Sequence, residues 1–279
     1  MGYLRLEAEG TGELRRWTPE LFGDLYAMHL HDPTSVLFYF DDFRGYNALT
    51  SSGAFGRGPY YGFIENSATI GNLTTEVNGV VQIVTGATAD NSAGFGLAHQ
   101  AGQMKIGVGS PGSVTAVGGR VAFEARVRFP DVTDGDGSVF IGLTEEARQV
   151  DDGVFSDAHA VAGIDLLGFW VVDSDNDEIN FGYNVASGTA QSVGTTAIAD
   201  ATTWYKLGFI YDFSDATSQR IQWFKDGAKQ GTYVTKANIE ASTFPGGEEM
   251  GFTADAKTDQ SAAMRLDVDW VCWAAELIY

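Results

Sequence analysis

The sequence predicts an all-β fold: one two-sheet antiparallel jelly-roll sandwich, preceded by a short N-terminal arm that contains one short helix. Three observations carry this. Glycine is abundant at 35 residues and proline scarce at 6, which suits many strands joined by glycine turns rather than a helical bundle. The run Gly119–Pro130, GRVAFEARVRFP, alternates strictly, with Val121, Phe123, Ala125, Val127 and Phe129 on one face and Glu124, Arg126 and Arg128 on the other. Such alternation gives one buried and one solvated face, as in an antiparallel sheet. Finally, Thr202–Gly231 reads as an aromatic-rich meander. Tyr205, Leu207, Phe209 and Tyr211 oppose Trp204, Lys206, Ile210 and Asp212, and Ile221 and Trp223 alternate with Gln222 and Phe224. Asp226-Gly227 closes the second run, and Asp-Gly is a hairpin signal because glycine takes the positive φ of a tight turn.

Taken in order, residues 1–36 form the arm. Thr18-Pro19-Glu20 has the pattern of a helix start: threonine as N-cap, proline at the first helical position, an acid in the first turn. Leu21, Phe22, Leu25, Tyr26 and Met28 recur at roughly helical spacing, and Asp32-Pro33 stops the run. A helix of about three turns does not hold itself in water. It packs on its own domain or on another chain, and the sequence favours neither.

The sandwich spans residues 37–279. Strands are expected at Val36–Phe43, Tyr60–Ile64, Ala68–Thr74, Val80–Thr85, Gly94–His99 and Gln103–Val108, then at Val121–Phe129 and Val139–Thr144. A polar insert, Glu145–His159, follows. Ala162–Val172 is apolar on both faces and reads as a central strand. Glu178–Asn184, Ser192–Ile198, the meander, Met250–Ala254 and Ala263–Ala274 complete the set. In the last of these, Met264, Leu266, Val268, Trp270 and Cys272 alternate with Arg265, Asp267, Asp269 and Val271.

Composition excludes several classes of function. The formal charge is -20, so the chain should repel nucleic acid and anionic membranes. No apolar run reaches the roughly 20 residues of a membrane span. The opening MGYLRLEAEG lacks the apolar core of a secretion signal. The one cysteine, Cys272, allows no internal disulfide and reads as a small buried hydrophobe. There is no phosphate-cradling glycine loop ending in Lys-Ser/Thr, no CxxC and no HExxH.

Candidate sites remain. Asp173-x-Asp175-x-Asp177 has the opening of a calcium loop, but an EF-hand needs glycine at the sixth position and glutamate at the twelfth. Glu178 and Asn184 stand there, so an EF-hand is excluded. An irregular calcium site from Asp173, Asp175 and Asp177, or from Asp131, Asp134 and Asp136, competes with a solvated acidic turn. His29 and His31 lack a third ligand nearby. Sugar binding uses exposed aromatic rings, and Tyr60, Tyr61, Trp170 and Trp204 are the candidates, each competing with a place in the core. Glycoside hydrolysis needs two carboxylates flanking the scissile bond. Glu124 stands alone beside Arg126, Glu145 and Glu146 are adjacent and so face opposite ways on a strand, and Asp267 and Asp269 have no glutamate beside them. The chain is therefore expected not to be an enzyme and to need no cofactor.

Several stretches carry a resemblance: EARVRF at Glu124–Phe129, FIGLTEE at Phe140–Glu146, TWYKLGFIYD at Thr203–Asp212, WFKDG at Trp223–Gly227 and LDVDWVCW at Leu266–Trp273. Their layout resembles the concanavalin A-like lectin/glucanase superfamily over residues 37–279. The glucanase members place Glu, Asp and Glu at alternating or near-alternating positions of one strand, a pattern no strand here shows. More narrowly, the order FYFDDF, GVVQIVTGATADNSAGFGL, FEARVRFPDVTD, FIGLTEE resembles lectin-like proteins that tailed bacteriophages encode near their capsid genes. That second resemblance implies a virion structural protein, made in the host cytoplasm and displayed on the outer capsid surface as a decoration or cement protein. The implied partners are the major capsid protein and sister subunits in a homo-oligomer, with Leu21, Phe22, Leu25, Tyr26 and Met28 of the arm as the docking residues. The alternative is a carbohydrate-binding module that attaches to glycans.

Overall fold

A computed structural model describes residues 17–44, 46, 48–49, 51–55, 60–73, 76, 79–97, 104–107, 109, 115–116, 118–131, 137–145, 153–172, 178–198, 200–213, 219–259 and 262–277. Helix α1 (Pro19–His31) leads into β1 (Val36–Asp41), β2 (Gly53–Phe55), β3 (Tyr60–Ile64), β4 (Thr69–Asn72), β5 (Val81–Val84), β6 (Ser92–Leu97) and β7 (Met104–Lys105). Then come β8 (Val121–Arg128), β9 (Gly137–Glu145), β10 (Leu166–Val171), β11 (Glu178–Asn184), β12 (Gln191–Ala197), β13 (Tyr205–Tyr211), β14 (Gln219–Lys225) and β15 (Ala228–Thr235). A single helical turn α2 (Lys236–Ile239), β16 (Glu249–Thr258) and β17 (Arg265–Glu276) follow.

The strands form two antiparallel sheets. One has eight strands in the order β15-β14-β13-β8-β17-β5-β4, with β1 also on β17. The other has nine, in the order β12-β11-β10-β9-β16-β6-β3-β2, with β7 also on β16. Strand β17 is long enough to carry β8 along one edge and, on the other, β5 beside Arg265–Val268 and β1 beside Val271–Glu276. The expected hairpin is present: Asp226 and Gly227 take φ of 52° and 78° between β14 and β15.

The inner faces of both sheets supply one core. The alternation of β8 and β13 holds throughout, so Val121, Phe123, Ala125 and Val127 meet Tyr205, Leu207, Phe209 and Tyr211 there. Aromatic rings dominate its centre. Phe123 stacks on Phe209 at 5.4 Å between centroids, and Phe181 on Trp223 at 5.6 Å.

Strand β17 corrects the sequence reading. Its pairing with β8 slips between Val268 and Trp270. A bulge adds one residue to one strand and so exchanges faces beyond it. Met264, Leu266 and Val268 share the inner face, but beyond the bulge the alternation reverses: Val271, Trp273 and Ala275 point inward, while Trp270, Cys272 and Ala274 turn outward.

That outward patch explains α1. The helix lies on the outer face of the eight-stranded sheet, where Leu21, Phe22 and Leu25 pack with Val36, Ala122, Phe224, Trp270, Cys272 and Ala274. All three helix residues are buried, and Tyr26 and Met28 are half-buried. The expected docking residues therefore face their own domain, because the bulge gives the helix an apolar seat there. From Trp17 onward the arm is a layer of the sandwich rather than a separate unit. Residues 1–16 lie outside the described residues.

Candidate functional site on the nine-stranded sheet

The outer face of the nine-stranded sheet carries a second small apolar cluster. Phe140 of β9 and Leu166 and Trp170 of β10 meet Val154, Phe155 and Ile164 from the segment between those strands. That segment folds into a small hairpin. Phe155 bridges Val161, Ser156 N–H donates to Ala160 O at 3.0 Å, and Ala162 N–H donates to Val154 O at 2.9 Å.

Glycines shape the floor beneath it. Gly142, Gly168 and Gly182 stand side by side on β9, β10 and β11. A Cβ on Gly142 would lie 2.9 Å from the Phe140 ring and 2.6 Å from the Gly168 Cα, and one on Gly182 would lie 2.6 Å from the Trp170 ring. The aromatic rings lie flat because these positions have no side chain.

Polar ties fasten the hairpin. Val154 N–H donates to Asp255 Oδ2 at 2.6 Å. Lys257 Nζ donates to Asp157 Oδ1 at 2.9 Å. His159 Nε2 lies 2.7 Å from Asp259 Oδ1 and 3.3 Å from Asp90 Oδ1. Ser138 Oγ donates to His159 O at 3.0 Å, and Asn184 Nδ2 to Ala162 O at 2.8 Å. Asp255 is fully buried, and that burial pushes its carboxyl up to about 7 against the opposing Val154 and Ala256 N–H groups. Beside the hairpin opens a polar cleft of about 280 Å³ lined by Glu65, Asn66, Asp90, Asn91, Asp157 and Lys257.

The sequence candidates are dispersed. Tyr60 is 1% exposed in the main core, among the rings of Tyr39, Phe43, Tyr46, Phe95 and Phe252. Trp170 is buried under the hairpin. Neither offers a ring to a sugar, because apolar neighbours cover both. Tyr61 is half-buried on β3. Trp204 is half-buried on the other sheet, where the Arg126 and Arg128 guanidiniums lie 4.8 and 4.6 Å from its ring. No two of the four share one surface site. Asp173, Asp175, Asp177, Asp134 and Asp136 lie outside the described residues, while Asp131 pairs with Arg265. Among the described residues, no group of three or more His, Cys, Asp or Glu side chains could hold a metal ion. No helix of the described residues is long and apolar enough to cross a membrane.

The carboxylates weighed for hydrolysis on β8 and β17 are each engaged by a neighbour. Arg128 Nη2 meets Asp267 Oδ2 at 2.7 Å and Arg126 Nη1 meets Asp269 Oδ2 at 2.7 Å, on the eight-stranded sheet. Glu124 is buried against Thr18. Sequence reasoning missed Asp255, Lys257 and His159. The signal was there: Thr253, Asp255 and Lys257 alternate with Phe252, Ala254 and Ala256, and Val154-Phe155 is an apolar pair within a polar insert.

No family model matches this chain, and no curated protein matches it in sequence. Solved structures match its fold. Peanut lectin in complex with a nine-residue peptide is 17% identical, over 88% of this chain and 99% of that one, with a TM-score of 0.55. A protein of unknown function from Shewanella oneidensis MR-1 is 18% identical over 87% of each chain, with a TM-score of 0.53. An endo-1,3-beta-glucanase from Streptomyces sioyaensis is 16% identical, over 88% of this chain and 98% of that one, with a TM-score of 0.51. The chain therefore has the concanavalin A-like lectin/glucanase jelly-roll fold. That fold is shared by a lectin and a hydrolase, so it assigns no activity by itself.

Proposed function

We propose that this chain is a non-enzymatic virion structural protein, a decoration or cement protein on the outer surface of a tailed-phage head. The observation that carries this reading is the covered sheet. A glycosidase needs an open groove with a carboxylate on each side of the substrate. Here a hairpin lies across Phe140 and Trp170, Asp255 is sealed beneath it, and Asp267 and Asp269 are held by arginines on the opposite sheet. The charge of -20 supports an outward position, since packaged DNA would repel it. The resemblance of several stretches to phage lectin-like proteins supports it further.

Such a protein works by interface burial with the major capsid protein, and a symmetric homo-oligomer suits that task. Since α1 buries its apolar face, the docking role passes to the large apolar side chains left exposed along α1, β1 and the end of β17: Leu30, Phe40 and Leu277, at 64%, 37% and 40% exposure.

Light scattering of the purified protein, alone and mixed with capsid lattice of the same genome, tests this. Binding to the lattice that weakens in an L30D/F40D variant is the expected result. A monomer that ignores the lattice and binds glycans on an array would overturn it in favour of carbohydrate recognition. Release of reducing sugar from a β-glucan would overturn the non-enzymatic reading.

A further inference from the structure

We propose that hairpin 154–162 is a releasable cover, fastened through ionisable side chains and loosened as the pH rises from acid toward neutral, so that the sheet face beneath it becomes available only when the cover lifts. This goes beyond the decoration role, which is argued from the same face in its closed state.

The geometry comes first. The hairpin seats Val154 and Phe155 on Phe140, Leu166 and Trp170, and its principal polar ties end on ionisable side chains: Asp255 under Val154, Lys257 with Asp157, and His159 with Asp259 and Asp90. Its fit to the floor is incomplete. Asp255 Oδ1 and Asn184 Oδ1 are buried and, among the described residues, accept no hydrogen bond. Buried acceptors left without donors cost stability, so they favour a state in which water or another molecule reaches them. The segment also turns on unusual backbone. Gly153 has φ of +76°, and a Cβ there would sit 2.6 Å from Asp255 Oδ2. His159, near the tip, has φ of +54°, a region that non-glycine residues seldom occupy.

The charges around Asp255 set the direction. From its own strand Lys257 favours the ionised carboxylate, from the turn before β4 Glu65 opposes it, and the hairpin contributes only the Val154 N–H. Burial outweighs these and holds the closed-state carboxyl near 7. An uncovered carboxyl returns to its ordinary range, about 3.9. A carboxyl whose pKa is raised in the closed state strengthens closure fully below the open-state value, and that contribution is lost as the pH rises through the closed-state value. With those end points, the opening equilibrium rises about thirtyfold between pH 5.5 and pH 8.

Amide hydrogen exchange of the full chain at pH 5.5, 7 and 8, corrected for intrinsic rates, reads this directly. Val154 and Ala162 amides should lose about thirtyfold of their protection across the range, as estimated from the linkage above. The Phe209 amide in the core should stay constant. D255N keeps an acceptor for Val154 N–H and should flatten the response. Protection of Val154 that is flat with pH in the wild type would overturn the proposal, whether or not the variant folds. A response that persists unchanged in a folded D255N would also overturn it.

Discussion

Thr18 and Glu124 are 106 residues apart in the chain and meet through two hydrogen bonds: Thr18 N–H donates to Glu124 Oε2 at 2.8 Å, and Thr18 Oγ1 to Oε1 at 2.5 Å. Thr18 is the N-cap of α1, yet its side chain caps none of the helix's own N–H groups. A carboxylate on β8 instead holds the cap from outside, near the positive end of the helix dipole. Burial raises the Glu124 carboxyl, and the Thr18 bonds oppose that rise.

Removing this carboxylate should free the helix. E124A leaves the Thr18 donors buried without an acceptor, at a cost of about 1–3 kcal/mol. The local readout is Cys272, which lies in the cluster under α1 and whose thiol burial pushes well up. The native thiol should resist alkylation, because the thiolate is the reactive form. Alkylation should quicken in E124A, and more so in a chain lacking residues 1–31. The shortened chain should also melt lower, since it bares Trp270, Cys272 and Ala274. A shortened chain of unchanged melting temperature, with Cys272 still inert, would contradict the structural role of α1.

Arg128 and Asp267 should be coupled. Asp267 is fully buried, and Arg128 reaches it through Nε at 2.9 Å and Nη2 at 2.7 Å, with Gln82 Nε2 also on it at 2.7 Å. R128A strands a buried carboxylate. Breaking such a pair costs about 3–5 kcal/mol when both partners are buried, and less here because the arginine touches solvent, so about 2–3 kcal/mol is expected. The double variant R128M/D267L should recover most of that in a urea melt, since apolar pairs of similar volume replace buried ion pairs at little cost. Additive losses in the double variant would show that the two side chains act independently.

Legibility was uneven, for physical reasons. Strands β3 and β11 fall where the sequence reading puts them, at Tyr60–Ile64 and Glu178–Asn184, because turn residues punctuate both ends. The faces of β8 and β13 were legible because charged residues, Glu124, Arg126 and Arg128 on one and Lys206 and Asp212 on the other, mark the outer side of each. The faces of β17 were not. Beyond Asp269 the run Trp270–Ala275 is apolar on both sides, so a one-residue slip leaves no mark in its pattern. The helix start was legible from Thr18-Pro19-Glu20, but amphipathicity only says that one face is buried, not against what. At the candidate site, the polar insert hid a folded hairpin, since its anchors on β16 lie about a hundred residues away.

Two glycines on the nine-stranded sheet should respond differently to a methyl group. In G142A the new Cβ falls 2.6 Å from both Gly168 Cα and Leu167 O, and backbone cannot yield cheaply. A loss of about 1–3 kcal/mol is expected. In G251A the nearest atom is Leu97 Cβ at 3.6 Å, ordinary contact. Thermal melts of the two proteins should separate clearly, and equal melts would mean that the sheet spreads readily around the aromatic rings.

The position of β17 bears on how the molecule is made. It is synthesised after every strand it joins, yet it stands between β8 on one edge and β5 and β1 on the other. Until it leaves the ribosome, the eight-stranded sheet exists as two halves with open edges, and β1 lacks its one strand partner among the described residues. Pairings of such long sequence separation form slowly. Open edges meanwhile invite pairing between nascent chains. Yield on expression should therefore depend on how many copies are translated side by side, with low temperature or slow induction favouring the folded product.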